Sequence, residues 1–226
     1  MKKVVEKLYR IVLALVAVVA TVTTFTDHVV AFGGDGNPAA LYFTSWSVWL
    51  ALISAILALV LSFNKKIDEK KGGGRAIRLA KFSANIMVIA TFIVAAFVLP
   101  SKIWTPDYWT FGGIFKHFLL PILTILDAFL FDTRHVLKVF DPILAVITSL
   151  LYWVIVVIRF MFARANLGGA ISEEFWGQYY PYGFTNMDNG HSIGGLCGML
   201  GGILVGLILI GYVYYIVDHK GKKKKK

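Results

Sequence analysis

Few residues of this apolar chain can do chemistry, and two of them match in type and position. Thr44 lies in Leu41-Tyr42-Phe43-Thr44-Ser45-Trp46-Ser47, and His117 in Phe115-Lys116-His117-Phe118-Leu119-Leu120-Pro121. A hydroxyl beside an imidazole is a nucleophile with its base. The bland alternatives are a threonine bonded to its own helical backbone and a histidine with its tip in interfacial water. Asp127 follows His117 by ten residues, about 15 Å along a helix. That is too far to orient the ring as a triad member. A structural role is expected for it, paired with Arg134 or protonated. Arg159 either snorkels to water or caps an anionic head group or carboxylate. Asn85 reads as interhelical glue.

The elements that must position these residues are membrane spans. The 226 residues are 58% hydrophobic and 16% charged, against about 45–50% and about 25% in soluble domains. A disordered chain is excluded by that apolarity, and a disulfide scaffold by the single cysteine, Cys197. Six runs reach the ~20 residues that a spanning helix needs: about 8–26, 41–63, 79–99, 113–131, 142–162 and 193–217. The expected fold is an all-α integral membrane bundle of six helices, one domain over 1–226, with a basic tail at 218–226. Nineteen of the 23 Lys and Arg fall on one side, which puts both termini in the cytoplasm of a multi-pass cell-membrane protein. The net charge of +10 then suits anionic lipids at the second loop and tail, not nucleic acid.

On these spans Thr44 stands about three residues into helix two and His117 about four into helix four. Both lie roughly 5 Å below the same outer surface. Ser47, Ala51 and Ser54 follow Thr44 on one inward face. Trp46, Trp49, Trp104, Tyr108, Trp109, Trp176, Tyr179, Tyr180 and Tyr182 gather at the outer side. They either anchor the interface or line a lipid-binding vestibule. Gly194, Gly198, Gly202 and Gly206 line one face of the last helix at a four-residue step. They suit close packing within the bundle, or a homodimer, with Cys197 a small buried neighbour. Gly72-Gly73-Gly74 reads as a flexible cytoplasmic loop and lacks the surroundings of a phosphate loop. The five histidines form no metal-ligand pattern, and no cofactor motif occurs.

Three segments carry a resemblance. LYFTSWSVWLALI resembles the Y-F-T-x-x-S-N segment of prokaryotic six-transmembrane proteins. KHFLLPILTILDAFLFD resembles their H-x-x-x-P-x-x-x-x-x-D-W-x-x-F segment, and FWGQYYPYGFTNMDNGHS their W-Y-P-Y-P-F-L-D segment. The order matches, with Val48, Ala128 and Gly183 as departures. That group is distantly similar to the androgen-induced membrane proteins, threonine hydrolases of fatty acid esters of hydroxy fatty acids. The resemblance implies a lipid ester hydrolase with Thr44 as nucleophile and His117 as base. Around that dyad, the Ser45 backbone N–H, Ser47, Tyr182 and Asn186 are candidate oxyanion donors. Asp188 is a candidate partner for the His117 ring, and Arg159 for a released carboxylate. Trp46 and Tyr180 complete the candidate substrate contacts. The alternatives are a non-enzymatic lipid-binding or solute-transport protein and a structural membrane protein.

Overall fold

The computed structural model describes residues 2–31, 42–64, 67, 72–93, 109–166, 168 and 193–220. The regular elements among them are all helical. They are α1 (Lys2–Ala31), α2 (Phe43–Phe63), α3 (Gly72–Ile93), α4 (Phe111–Phe131), the short α5 (Asp141–Ala145), α6 (Ile147–Asn166) and α7 (Ile193–Lys220). With α5 and α6 counted as one, six are long and apolar enough to cross a membrane. Helices satisfy their own backbone groups, which lipid cannot do. Leu15, Val22, Ile53, Ile158, Leu209 and Val213 are exposed on the outside of the bundle. Water would not tolerate so broad an apolar surface. The chain is a multi-pass membrane protein.

Antiparallel α1 and α2 pack through small residues. Ala17 and Ala20 meet Val48, Ala51 and Ala55 in one buried cluster, with Leu13 and Leu120 beside them. Small side chains let helix backbones approach where no hydrophobic effect separates lipid from protein. The expected inward stripe on α2 is present: Ser47, Ala51 and Ser54 are all buried. Of the six, α3 is the most enclosed, with 61% of its apolar window buried. It packs on α2, α4, α5 and α7.

At the end of the bundle where α1 begins, charges are buried together. Arg10 reaches Asp127 at 2.9 Å and Asp132 at 3.4 Å. Lys81 contacts both carboxylates, and Arg78 pairs with Asp132. Arg78 also lies 3.7 Å from Asp218. Tyr214 donates to Asp132 at 3.1 Å, and Asn85 donates to the Tyr214 oxygen at 3.3 Å. Asn85 is thus the interhelical bond its sequence context suggested. Beside this cluster Arg75 forks onto Asp141 at 2.7 and 2.8 Å. Three cations face Asp127, Asp132 and Asp218, with Glu6 2.8 Å from Arg10 at the edge, so neutralisation is local, and α1, α3, α4 and α7 are tied at one end.

This cluster corrects several expectations. Asp127 pairs with Arg10 and Lys81, not Arg134, whose guanidinium donates to the Phe129 carbonyl. Arg10, Arg78 and Lys81 are interior residues, each at most 3% exposed, not lysines and arginines presented to lipid. Helix α3 therefore starts at Gly72, seven residues before the apolar run. The triple glycine is its first turn, not a loop. Gly72 takes φ +49°, a left-handed value that costs glycine little. Asp218, at the head of the expected tail, is helical and buried; it accepts from Val136 N–H at 3.1 Å and Leu137 N–H at 3.3 Å. The glycine stripe is also corrected as an intramolecular seam. Among the described residues a Cβ at Gly198, Gly202 or Gly206 would meet nothing within 4 Å, whereas one at Gly211 would lie 3.0 Å from Pro142. Cys197 is exposed, not buried.

Candidate functional site

Thr44 is the second residue of α2. Tyr42 provides no side-chain cap there, and the first backbone bond of this helix is Trp46 N–H to the Tyr42 carbonyl. The N–H groups of Thr44 and Ser45 thus precede the helical ladder, as the first donors of every helix do. Ser47 Oγ donates to the Thr44 carbonyl at 2.8 Å and accepts from Thr91 Oγ1 at 2.9 Å. With its proton engaged there, Ser47 has none left for an oxyanion. Ser45 Oγ is fully buried and has no hydrogen-bond partner among the described residues. Trp46, roughly 200° around the helix from Thr44, packs edge-on against Tyr152 at 5.8 Å and so faces α6.

His117 sits in a π-helical turn, Phe115–Leu119, inside α4. The turn follows from H-x-x-x-P. Pro121 has no N–H to offer the carbonyl four residues back, that of His117, and its ring crowds that carbonyl. The backbone widens, and the Leu120 N–H reaches back to the Phe115 carbonyl. Wide turns of this kind are frequent at functional sites. The His117 ring is 8% exposed, so it is buried in the bundle and not an interfacial tip.

Helix α1 relates the two. Its pairing with α2 runs from Arg10, which donates to the Ala58 carbonyl at 3.1 Å, to His28, whose ring lies 4.8 Å from that of Tyr42. Between these points Thr44 falls level with the turn from Thr24 to Thr26. Its pairing with α4 runs from Arg10 and Asp127 to Asp27, 2.7 Å from Lys116. A Cβ on Gly112 would lie 2.8 Å from Asp27 Oδ2, so the outer turn of α1 presses on the start of α4. This second pairing sets His117 between the levels of Ala20 and Thr26. Thr44 and His117 therefore lie within about one turn of each other in depth, at most roughly 6 Å. Side chains lean toward the N-terminus of their helix, so the His117 ring leans toward the Thr44 level. Among the described residues no hydrogen bond joins the Thr44 hydroxyl to the His117 ring.

Arg159 is half-buried on α6. Tyr180, Tyr182, Asn186 and Asp188 lie outside the described residues. The contributions of α1, namely Thr24, Asp27 and His28, had no motif to reveal them; an apolar run ending in Thr-Asp-His was the one signal. Among the described residues no group of three or more His, Cys, Asp or Glu is placed to hold a metal ion. No family model, curated protein or solved structure matches the chain.

Proposed function

We propose that this protein is an integral-membrane lipid ester hydrolase whose nucleophile is Thr44 and whose base is His117. One observation carries the reading. The two residues stand within a turn of each other in depth, on spans that share α1 as a packing partner. A hydroxyl and an imidazole brought together directly or through one water suit general-base catalysis. His117 takes the Thr44 proton as Oγ attacks the ester carbonyl. The carbonyl electrons move to oxygen, where the Ser45 N–H and hydroxyl are the best-placed donors. As the ester C–O bond breaks, His117 returns the proton to the leaving alkoxide, and an acyl-Thr44 remains. Water then releases the fatty acid, and Arg159 is a candidate to receive its carboxylate.

The Lys and Arg excess favours the N-terminal end of the bundle as the cytoplasmic one, in the cell membrane, with anionic lipids around it. Thr44 and His117 then face the outer leaflet, which supplies the substrate. A transporter would have to open the opposite end as well. The buried ion pairs there oppose that, since parting one leaves an uncompensated charge at a cost of about 3–5 kcal/mol.

The test uses the full chain in lipid nanodiscs, treated with a fluorophosphonate and mapped by mass spectrometry. The expected result is an adduct on Thr44 that is lost in His117→Ala. A folded protein that takes no label overturns the reading, in favour of lipid binding without catalysis.

A further inference from the structure

A lateral cavity of about 380 Å³ opens between α2, α3 and the α5–α6 corner. Ligand pockets hold about 300–1,000 Å³, so this one suits a small occupant. Its wall is aliphatic apart from the hydroxyls of Ser54, Ser83 and Thr148. Ile53, Leu144 and Ile147 stand at its rim, each about half exposed on the outside of the bundle. The cavity therefore opens sideways into hydrocarbon, and its occupant comes from the membrane. The fifth span is interrupted within this wall, at Val146, between Leu144 and Ile147. Irregular backbone at membrane depth is tolerated where it lines a cavity.

Two of the hydroxyls are unspent. Thr148 gives its proton to the Ala145 carbonyl at 3.2 Å. On α2, Ser47 and Ser62 bond the carbonyls three residues back. Ser54 and Ser83 are 3% and 7% exposed, and among the described residues no hydrogen bond engages either. A hydroxyl without a partner is costly in an apolar medium. The hydrogen bond from Thr91 to Ser47 fixes their relative depth. Ser54 is seven residues on from Ser47, and Ser83 is eight back from Thr91. On antiparallel helices these steps run the same way, so the two serines differ in depth by about 1.5 Å. Ser54 is ten residues past Thr44 and nine before Phe63, near the middle of its span.

We propose that this cavity binds a membrane quinone, whose ring oxygens accept from Ser54 Oγ and Ser83 Oγ. Two donors without partners call for an acceptor, and a carbonyl oxygen has two lone pairs and no proton. Depth selects the molecule that brings it. Head-group esters and sterol hydroxyls stay near the surface, where water satisfies them. An oxygen at mid-span must ride on a body that is otherwise apolar, as a quinone ring rides on its isoprenoid tail. A substituted six-membered ring and the first links of that tail suit the volume. The step is binding alone, with no electron or bond transferred. The cavity lies on the other side of α2 from Thr44, so the proposal stands apart from the hydrolase reading.

The experiment titrates decylubiquinone, labelled with carbon-13 at its ring carbonyls, into nanodiscs that hold the full chain. Empty nanodiscs are the reference. The expected result is saturable binding above that reference, with the carbonyl infrared band moved to lower frequency by the serine hydroxyls. Ser54→Ala combined with Ser83→Ala removes both donors and no hydrogen bond that the fold uses. That protein should bind about 5- to 100-fold more weakly, the worth of two hydrogen bonds, and its band should return to the reference position. Ala80→Phe fills the cavity from α3, keeps both serines and should abolish saturable binding. Parental affinity in the doubly substituted protein overturns the proposal. So does an absence of saturable binding to the parent. Displacement by squalene as readily as by unlabelled decylubiquinone also overturns it, because squalene has an isoprenoid chain and no oxygen.

Discussion

Lys81 holds two carboxylates at once, deep between α3 and α4. Lys81→Met should leave Asp127 and Asp132 short of positive charge where water cannot replace it. The expected loss is about 3–5 kcal/mol, read as a lower unfolding midpoint in nanodiscs, while exposed Lys3 tolerates the same change. A midpoint unaltered by Lys81→Met would mean that the cluster readily rehydrates. Sequence alone marked Asp127 as expensive in a membrane and structural in role, but chose Arg134 as its partner. Arg134 is seven positions away along one helix and its corner. Arg10 and Lys81 lie on other spans, and only tertiary packing brings them within reach. At the candidate site the sequence supplied Thr44, His117 and an expected common depth, and the packing of α1 brings the two to within about a turn. His28 was visible only as one of five histidines, because nothing along the chain places α1 beside Tyr42.

At the scale of the helix, the glycines of α7 separate into two kinds that identical residue type conceals. Gly211 has Pro142 Cα at 3.2 Å and Ile86 Cδ1 at 3.1 Å from its would-be Cβ. Gly211→Ala should cost about 1–3 kcal/mol by overpacking. Gly202→Ala meets nothing among the described residues and gains up to about 1 kcal/mol of helix propensity. The unfolding midpoints of the two variants should move in opposite directions; equal shifts would show that α7 packs otherwise. Spacing could predict a smooth face but not which part of it a neighbour uses. The π-turn is a second lesson at this scale. H-x-x-x-P contains its physical cause, yet an apolar pattern predicts only an unbroken span. The start of α3 is a third: hydropathy ends a helix at its first charges, whereas this one continues through Arg75, Arg78 and Lys81 because carboxylates await them.

Across the whole molecule, the ion pairs make the bundle sensitive to acid. Burial pushes the Asp132 carboxyl upward, but Arg78, Lys81 and Arg10 outweigh it and hold the group at about 2, against about 3.9 when unfolded. A depressed carboxylate stabilises the fold above its unfolded value, and that contribution fades as pH falls toward its folded value. Stability should therefore be flat near Asp132's contribution above pH ~4 and decline between about 4 and 2. Unfolding midpoints across that range should show a weaker slope in Asp132→Asn; an equal slope would assign the acid sensitivity elsewhere.

The membrane class, the helical nature and the six spans followed from sequence alone, because a bilayer demands length and apolarity that a linear window can read. Thr44, His117, Asp127, Arg159 and Asn85 stood out against their own neighbours as costly in a membrane, whereas the buried Arg10, Arg78 and Lys81 read as part of the basic flank. Which charge neutralises which, where α3 begins, which glycine is crowded and which ring lies against Tyr42 depended on the tertiary structure. Each of these is a distance between spans, and a distance between spans is set by the packing of side chains far apart in the chain.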